Sequence, residues 1–287
     1  MATVSQYLSD WLTLRSSALK PRTVESYADL FRRYVFPAFG GVELSALDPS
    51  EITHLLASIV AAGHTRTAEL LFVALKAAFR TLEKNPLHRV PRPRHSQQSP
   101  VAWDDAQIAV YMGALVGHKH RLALTLGIVL GLRRGEICGL RWEDVDFDAN
   151  VIHIRRQLVR LDSGQIIECS PKSASSVRTL PIPTGLPPLL RAHRQLPTCR
   201  LCNLTPSGLD AAHRALARRL ALPYTPLHGL RHSFATSCIR NGGEMKSLQL
   251  ILGHSNYATT ANRYTHPDMK MLQKAVDFAT RPCYTFP

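Results

Sequence analysis

Between residues 86 and 100 the chain carries Pro86, Pro91, Pro93 and Pro100, interleaved with Arg89, Arg92, Arg94 and His95. Proline fixes φ and removes a backbone donor, so no regular helix crosses such a stretch, and no apolar period survives in it. The chain therefore has to fold as two bodies joined by an extended basic linker, residues 87–102. That linker reads equally well as a solvated tether or as a segment that follows a polyanionic backbone. With 287 residues there is enough chain for two cores.

Residues 1–86 carry helical spacing and no strand pattern. Val4, Tyr7, Leu8, Trp11 and Leu12 recur at three and four, and Val24, Tyr27, Leu30, Phe31, Tyr34 and Val35 do the same. Asp48-Pro49-Ser50-Glu51 supplies an N-cap, a first-turn proline and an acidic residue ahead of Ile52, Leu55, Leu56 and Ile59. A fourth helix is expected over 67–83, with Leu71, Leu75, Phe79 and Leu82 inward and Asn85-Pro86 as its stop. From Trp103 onward the pattern is mixed. Helices are expected over 104–116, 121–130, 209–220, 229–241 and 245–252, and short strands over 151–155, 166–168 and 177–182.

The charge is strongly one-sided: 35 Lys+Arg against 21 Asp+Glu, a formal +14, with a pI near 9.9. Neutralising phosphates releases condensed counterions, so this balance favours a polyanionic partner; the plainer readings are a basic surface kept for solubility and a membrane-surface protein, for which no basic amphipathic anchor is seen. Only 8 of the cations are lysines. Arginine, with its rigid fork, is the better match to phosphate. The longest apolar stretch, 122–132, is too short to cross a bilayer, and the N-terminus has no export pattern, so a bacterial cytoplasmic location on DNA is expected.

Other chemistries lack support. There is no Walker phosphate loop and no G-x-G-x-x-G after a strand, so no nucleotide cofactor is expected. Cys199-x-x-Cys202 is a lone pair among six scattered cysteines; with His193 and His213 as the nearest candidates to complete it, a plain loop is the better reading than zinc. The acidic run Glu143, Asp144, Asp146 and Asp148 reads as a solvated turn before a two-metal nuclease, and no metal is expected.

Five separated segments carry the remaining signal. They are Gly131-Leu132-Arg133-Arg134-Gly135-Glu136, Pro171-Lys172-Ser173, His228-Gly229-Leu230-Arg231-His232, Leu252-Gly253-His254-Ser255 and Arg263-Tyr264-Thr265-His266. Taken singly each is weak: a His-x-x-Arg is usually a helix face, and a lone tyrosine is usually half-buried packing. In this order, with 23 residues from Arg231 to His254 and 10 from His254 to Tyr264, the set resembles the tyrosine recombinase (phage integrase) family over nearly the whole chain.

That resemblance implies a two-domain fold. Residues 1–86 would be an all-α, SAM-like core-binding domain. Residues 103–287 would be a mixed α+β, mainly helical catalytic domain with a small antiparallel sheet, the DNA breaking-rejoining enzyme fold. It also implies roles. Tyr264 would be the nucleophile, Arg133 and Arg231 would clamp the phosphate, His228 and His254 would donate or move protons, and Lys172 would protonate the leaving 5′-oxygen. Glu136 would hold an arginine or the local helix, while Arg134 and His232 would stand outside the chemistry. Because the phosphotyrosyl bond stores the energy of the broken one, no ATP and no metal would be needed.

The partners so implied are double-stranded DNA and three further copies, a homotetramer on paired sites. Directionality or bending accessory proteins are optional, since the chain begins almost at the core-binding bundle, without an arm-site domain. Met269, Leu272, Ala275, Val276 and Phe278 form an apolar face after Tyr264 that packs on a neighbour or folds back. Two other readings compete: a DNA-binding protein that lost catalysis, and a type IB topoisomerase, which shares the chemistry and differs in site selectivity.

Overall fold

The computed structural model describes residues 2–95, 101–171 and 174–253. Its chain contacts gather into two compact units, one of residues 1–98 with 160–165, the other of 99–159 with 166–287.

The first unit is built on helices α1 (Val4–Arg15), α2 (Pro21–Leu30), α3 (Phe36–Phe39), α4 (Pro49–Ala61) and α5 (Thr65–Phe79). Thr3 starts α1 with a reciprocal cap: its hydroxyl accepts from the Gln6 N–H, and the Gln6 side chain accepts from the Thr3 N–H. Asp48 caps α4 by accepting from the Ser50 N–H at 2.7 Å, with Pro49 in the first turn. Val4, Leu8, Phe31, Ile52, Leu56, Leu71, Leu75 and Phe79 close one core. Each such side chain taken from water contributes about 1.5–3 kcal/mol.

Two local departures from the expected helices have physical causes. The second helix is not α-helical throughout but passes through a wide π turn, Phe31–Val35, into α3. Pro37 cannot donate to the preceding turn and its ring crowds the carbonyl there, and widening the turn relieves both. The fourth helix ends at Phe79 rather than near 83, because Leu82 N–H folds back onto the Phe79 carbonyl at 3.1 Å. In the segment read as a linker, Leu87 and Val90 are buried in this core, and Arg92 pairs with Glu69 at 2.8 Å.

The second unit contains α6 (Asp105–Ala114), α7 (Arg121–Val129), α8 (Arg134–Gly139), α9 (Pro187–Ala192), α10 (Pro206–Arg219), α11 (Leu227–Arg240) and α12 (Met245–Leu252). It also contains β1 (Val145–Asp146), β2 (Val151–Ile154), β3 (Gln157–Arg160), β4 (Ile166–Cys169) and β5 (Arg178–Pro181). Strands β1, β2 and β5 form an antiparallel sheet in that order, with Ile152 opposite both Val145 and Leu180; β3 and β4 pair separately. Helix α7 is buried from Leu122 to Ile128 and is the centre of the core, with α11 and α8 packed on it.

The expected mainly helical unit with a small antiparallel sheet is what forms. Sequence reading passed over α8, α9, β1 and β3. Helix α8 holds two glycines in six residues and has poor intrinsic propensity; β3 follows Arg155-Arg156 with no alternation to mark it.

Candidate active site

Helix α7 ends at Val129, and two residues on Gly131 turns the chain at φ +58; a Cβ there would stand 2.6 Å from the Phe234 ring. That tight turn delivers Arg133 to the N-cap position of α8 in an extended conformation. Glu136, one turn on, accepts from the Arg133 backbone N–H at 2.9 Å and from its Nη1 at 2.7 Å. One carboxylate thereby starts the helix and orients the arginine side chain.

Arg231 comes from α11, whose inner face places it at 1% exposure. Its guanidinium donates to the Gly131 carbonyl at 2.9 Å and to the Leu252 carbonyl. Arg133 Nη2 donates to the Gly253 carbonyl at 3.1 Å, and Arg178, from β5, donates through Nε to the Ile251 carbonyl at 2.6 Å. The last three carbonyls leading out of α12 are therefore each held by a different arginine. A helix C-terminus exposes unpaired carbonyls and the negative end of its dipole, so cations are favourable there. Gly253 closes the helix in the left-handed region, at φ +62.

The arginine that sequence reading missed is Arg178. Its two Nη atoms form a two-pronged pair with both Glu136 oxygens, each at 3.0 Å, with the side chains 6% and 1% exposed. The signal was there in the strand period: Arg178 shares a face with buried Leu180, two residues on. Burial by itself would raise the Glu136 carboxyl. The Arg178 hydrogen bonds and the charges of Arg178 and Arg133 outweigh it and hold the group below the usual carboxylate range. Arg133 and Arg178 pair with this one carboxylate and Arg231 lies against the neighbouring carbonyls, so three guanidiniums gather at the end of α12 with a single carboxylate among them, an excess of positive charge that suits a site for a phosphate anion.

His228 is exposed, one turn before Arg231 on α11, and its ring stands edge-on to that of His232, 5.2 Å between centroids. His232 is buried. Arg134 turns away from the cluster to pair with Asp210. Of the residues singled out by sequence, Arg133, Glu136 and Arg231 are brought together, with His228 beside them on α11; Lys172, His254 and Tyr264 lie outside the described residues, as does the apolar face at 269–278.

One of two weaker readings changes. The acidic run is not simply a solvated turn. Asp144 is 0% exposed and accepts from Arg141 N–H and Arg156 Nη1, while Asp146 caps the turn at Asp148 and Ala149. His213, a candidate partner for the cysteine pair, spends one ring nitrogen on the Tyr111 hydroxyl and the other on the Thr225 carbonyl.

Comparison with known proteins bears on the fold and on two segments of the chain. Residues 3–59 match the phage integrase N-terminal SAM-like domain, and residues 199–271 match the phage integrase family. A tyrosine recombinase XerC-like protein of Caldanaerobacter subterraneus subsp. tengcongensis is 28% identical across 96% of this chain and 82% of its own length. The Tn1549 transposon integrase, solved in complex with a circular intermediate DNA, superposes with a TM-score of 0.81 at 23% identity, over 97% of this chain and 100% of that one. The lambda integrase tetramer bound to a Holliday junction shares the fold at a TM-score of 0.68 and 17% identity, over 91% of this chain and 77% of that one. The two family matches, in order along the chain, and the relative spanning nearly its whole length make it similar to site-specific recombinases of the tyrosine recombinase family.

Proposed function

We propose that the chain cuts and rejoins duplex DNA at specific sites through a covalent bond between Tyr264 and a DNA phosphate. The observation that carries this reading is the convergence of Arg133 and Arg231, 98 positions apart in sequence, on the end of α12. Two guanidiniums held side by side by backbone carbonyls are oriented before any substrate arrives, and such preorganisation is the main source of transition-state stabilisation for an anionic centre.

In this reading the Tyr264 phenol oxygen attacks phosphorus and the bond to the 5′-oxygen breaks, leaving a 3′-phosphotyrosyl link and a free 5′-hydroxyl. A phenol with a pKa of about 10 is a poor nucleophile at neutral pH. His228 or His254 takes its proton, while Lys172 supplies one to the leaving oxygen. Arg133 and Arg231 hold the non-bridging oxygens as charge builds on them. Attack by a 5′-hydroxyl from the other duplex reverses the step. One ester replaces another throughout, so the exchange proceeds without ATP and without a metal ion.

Strand exchange between two duplexes calls for four protomers on paired sites, with accessory proteins setting direction where the element needs it. The charge of +14 supports DNA as the partner, and no helix among the described residues is long and apolar enough to span a membrane. The bacterial cytoplasm, on DNA, is the location this reading requires. The domains follow suit: 1–86 to grip DNA, 87–102 to link and 103–287 to cut. Purified protein incubated with its target DNA and denatured in detergent should yield a protein–DNA adduct that Tyr264→Phe abolishes. An adduct that survives the substitution overturns the assignment.

A further inference from the structure

The proposed chemistry uses two arginines at the end of α12; the structure has three. Arg133 is the most open, at 28% side-chain exposure, whereas Arg178 is 6% exposed and its guanidinium is committed to Glu136, Ile251 and Ser176. A side chain so enclosed is badly placed to grip DNA, yet it sits on the same carboxylate that orients Arg133.

We propose that Arg178 is a positioning residue for DNA cleavage: it occupies both oxygens of Glu136 and anchors the Ile251 carbonyl, so that Arg133 is aimed but not captured. This rests on the reading that Arg133 grips the scissile phosphate. The physical argument is one of competition. Glu136 already takes two bonds from Arg133, one from its backbone and one from its side chain. Without Arg178, the carboxylate has one guanidinium left to neutralise it, and a buried carboxylate draws its remaining partner closer. Arg133 would then close onto Glu136 at the expense of the phosphate. Arg178 also ties β5 to the carbonyl two residues before Gly253, so its loss slackens the α12 end on which Arg133 and Arg231 rest.

The test is a set of four proteins: wild type, Arg178→Met, Glu136→Gln and the double variant. Each is assayed for DNA affinity, for single-turnover formation of the Tyr264 adduct, and for thermal melting, so that rates are compared where every protein is folded. Arg178→Met should keep DNA affinity within a few-fold and slow adduct formation by roughly 10- to 100-fold, the scale of a misplaced reacting group. The double variant should form adduct faster than Arg178→Met, because removing the Glu136 charge releases Arg133. A residue that served folding alone would lower the melting temperature and show no such rescue.

Adduct formation by Arg178→Met at the wild-type rate overturns the proposal, as does a double variant no faster than Arg178→Met. If Arg178→Met does not fold, Arg178→Lys, which keeps the charge and loses the two-pronged bond, is read in its place: slowed cleavage supports the proposal and wild-type cleavage overturns it. Wild-type protein that forms no adduct on its target DNA removes the catalytic reading itself, and this inference falls with it.

Discussion

Arg231 reaches across 100 positions of sequence to donate to the Gly131 carbonyl at 2.9 Å, which ties α11 to the turn that presents Arg133. The two arginines are thereby parts of one scaffold, and a change in either should be felt at the other. Lysine has a point charge and no planar fork, so it cannot hold Gly131 and Leu252 together in the same way. Arg231→Lys should leave DNA affinity almost unchanged and lower single-turnover cleavage by about 10²–10³-fold, the usual cost of losing one preorganised donor. Cleavage within a few-fold of wild type would remove Arg231 from the phosphate site.

The turn itself can be tested through Gly131. An alanine there must adopt φ +58 and place its Cβ 2.6 Å from the Phe234 ring. Gly131→Ala should cost about 1–3 kcal/mol in denaturant unfolding, and it should impair cleavage more than DNA binding, since Arg133 lies two residues on. An unchanged stability would mean that the turn relaxes freely.

The core beneath the site carries a pH response. His213 is buried between Tyr111 and the Thr225 carbonyl, and burial, more than any nearby charge, lowers its pKa from the ordinary 6.5. A folded-state value below the unfolded one means that the unfolded chain takes up the proton first. Stability from this group is complete above about pH 6.5 and is lost as pH falls through the lowered value. Thermal melting followed from pH 8 to pH 5 should show that loss, and His213→Gln should flatten it. An equal slope in the variant would place the response elsewhere.

Two thiols should be inert in the native protein. Burial pushes the Cys138 thiol up to about 12, and it raises Cys202 as well. Reactivity follows the thiolate, so native protein at neutral pH should alkylate at Cys138 and Cys202 only on unfolding. Rapid labelling of either, followed by mass spectrometry, would contradict the burial described for them.

Much of this molecule is written in local sequence. The spacing of Val4 and Leu8, and of Ile52, Leu56 and Ile59, reports the bundle because one helix face must be apolar whatever its neighbours are. Arg133 and Arg231 are legible through the resemblance that their ordered segments bear to the tyrosine recombinase family. Arg178 is not: one arginine among 27 gains its meaning only when β5 comes to lie beside α8 and the end of α12, a pairing made by tertiary structure. Asp144 is the same case, an acidic residue in a turn whose burial depends on Arg156 arriving from the end of β2. Helix α8 forms against its own propensity because Glu136 starts it and the core holds it.

The most direct test of the whole account is covalent trapping in cells. Cells expressing wild type or Tyr264→Phe are lysed in denaturant, the protein is recovered with its attached DNA, and the DNA is sequenced. The account predicts a few enriched sites with wild type and none with the variant. Adducts that persist without the Tyr264 hydroxyl, or wild-type adducts spread evenly over the genome, would contradict it.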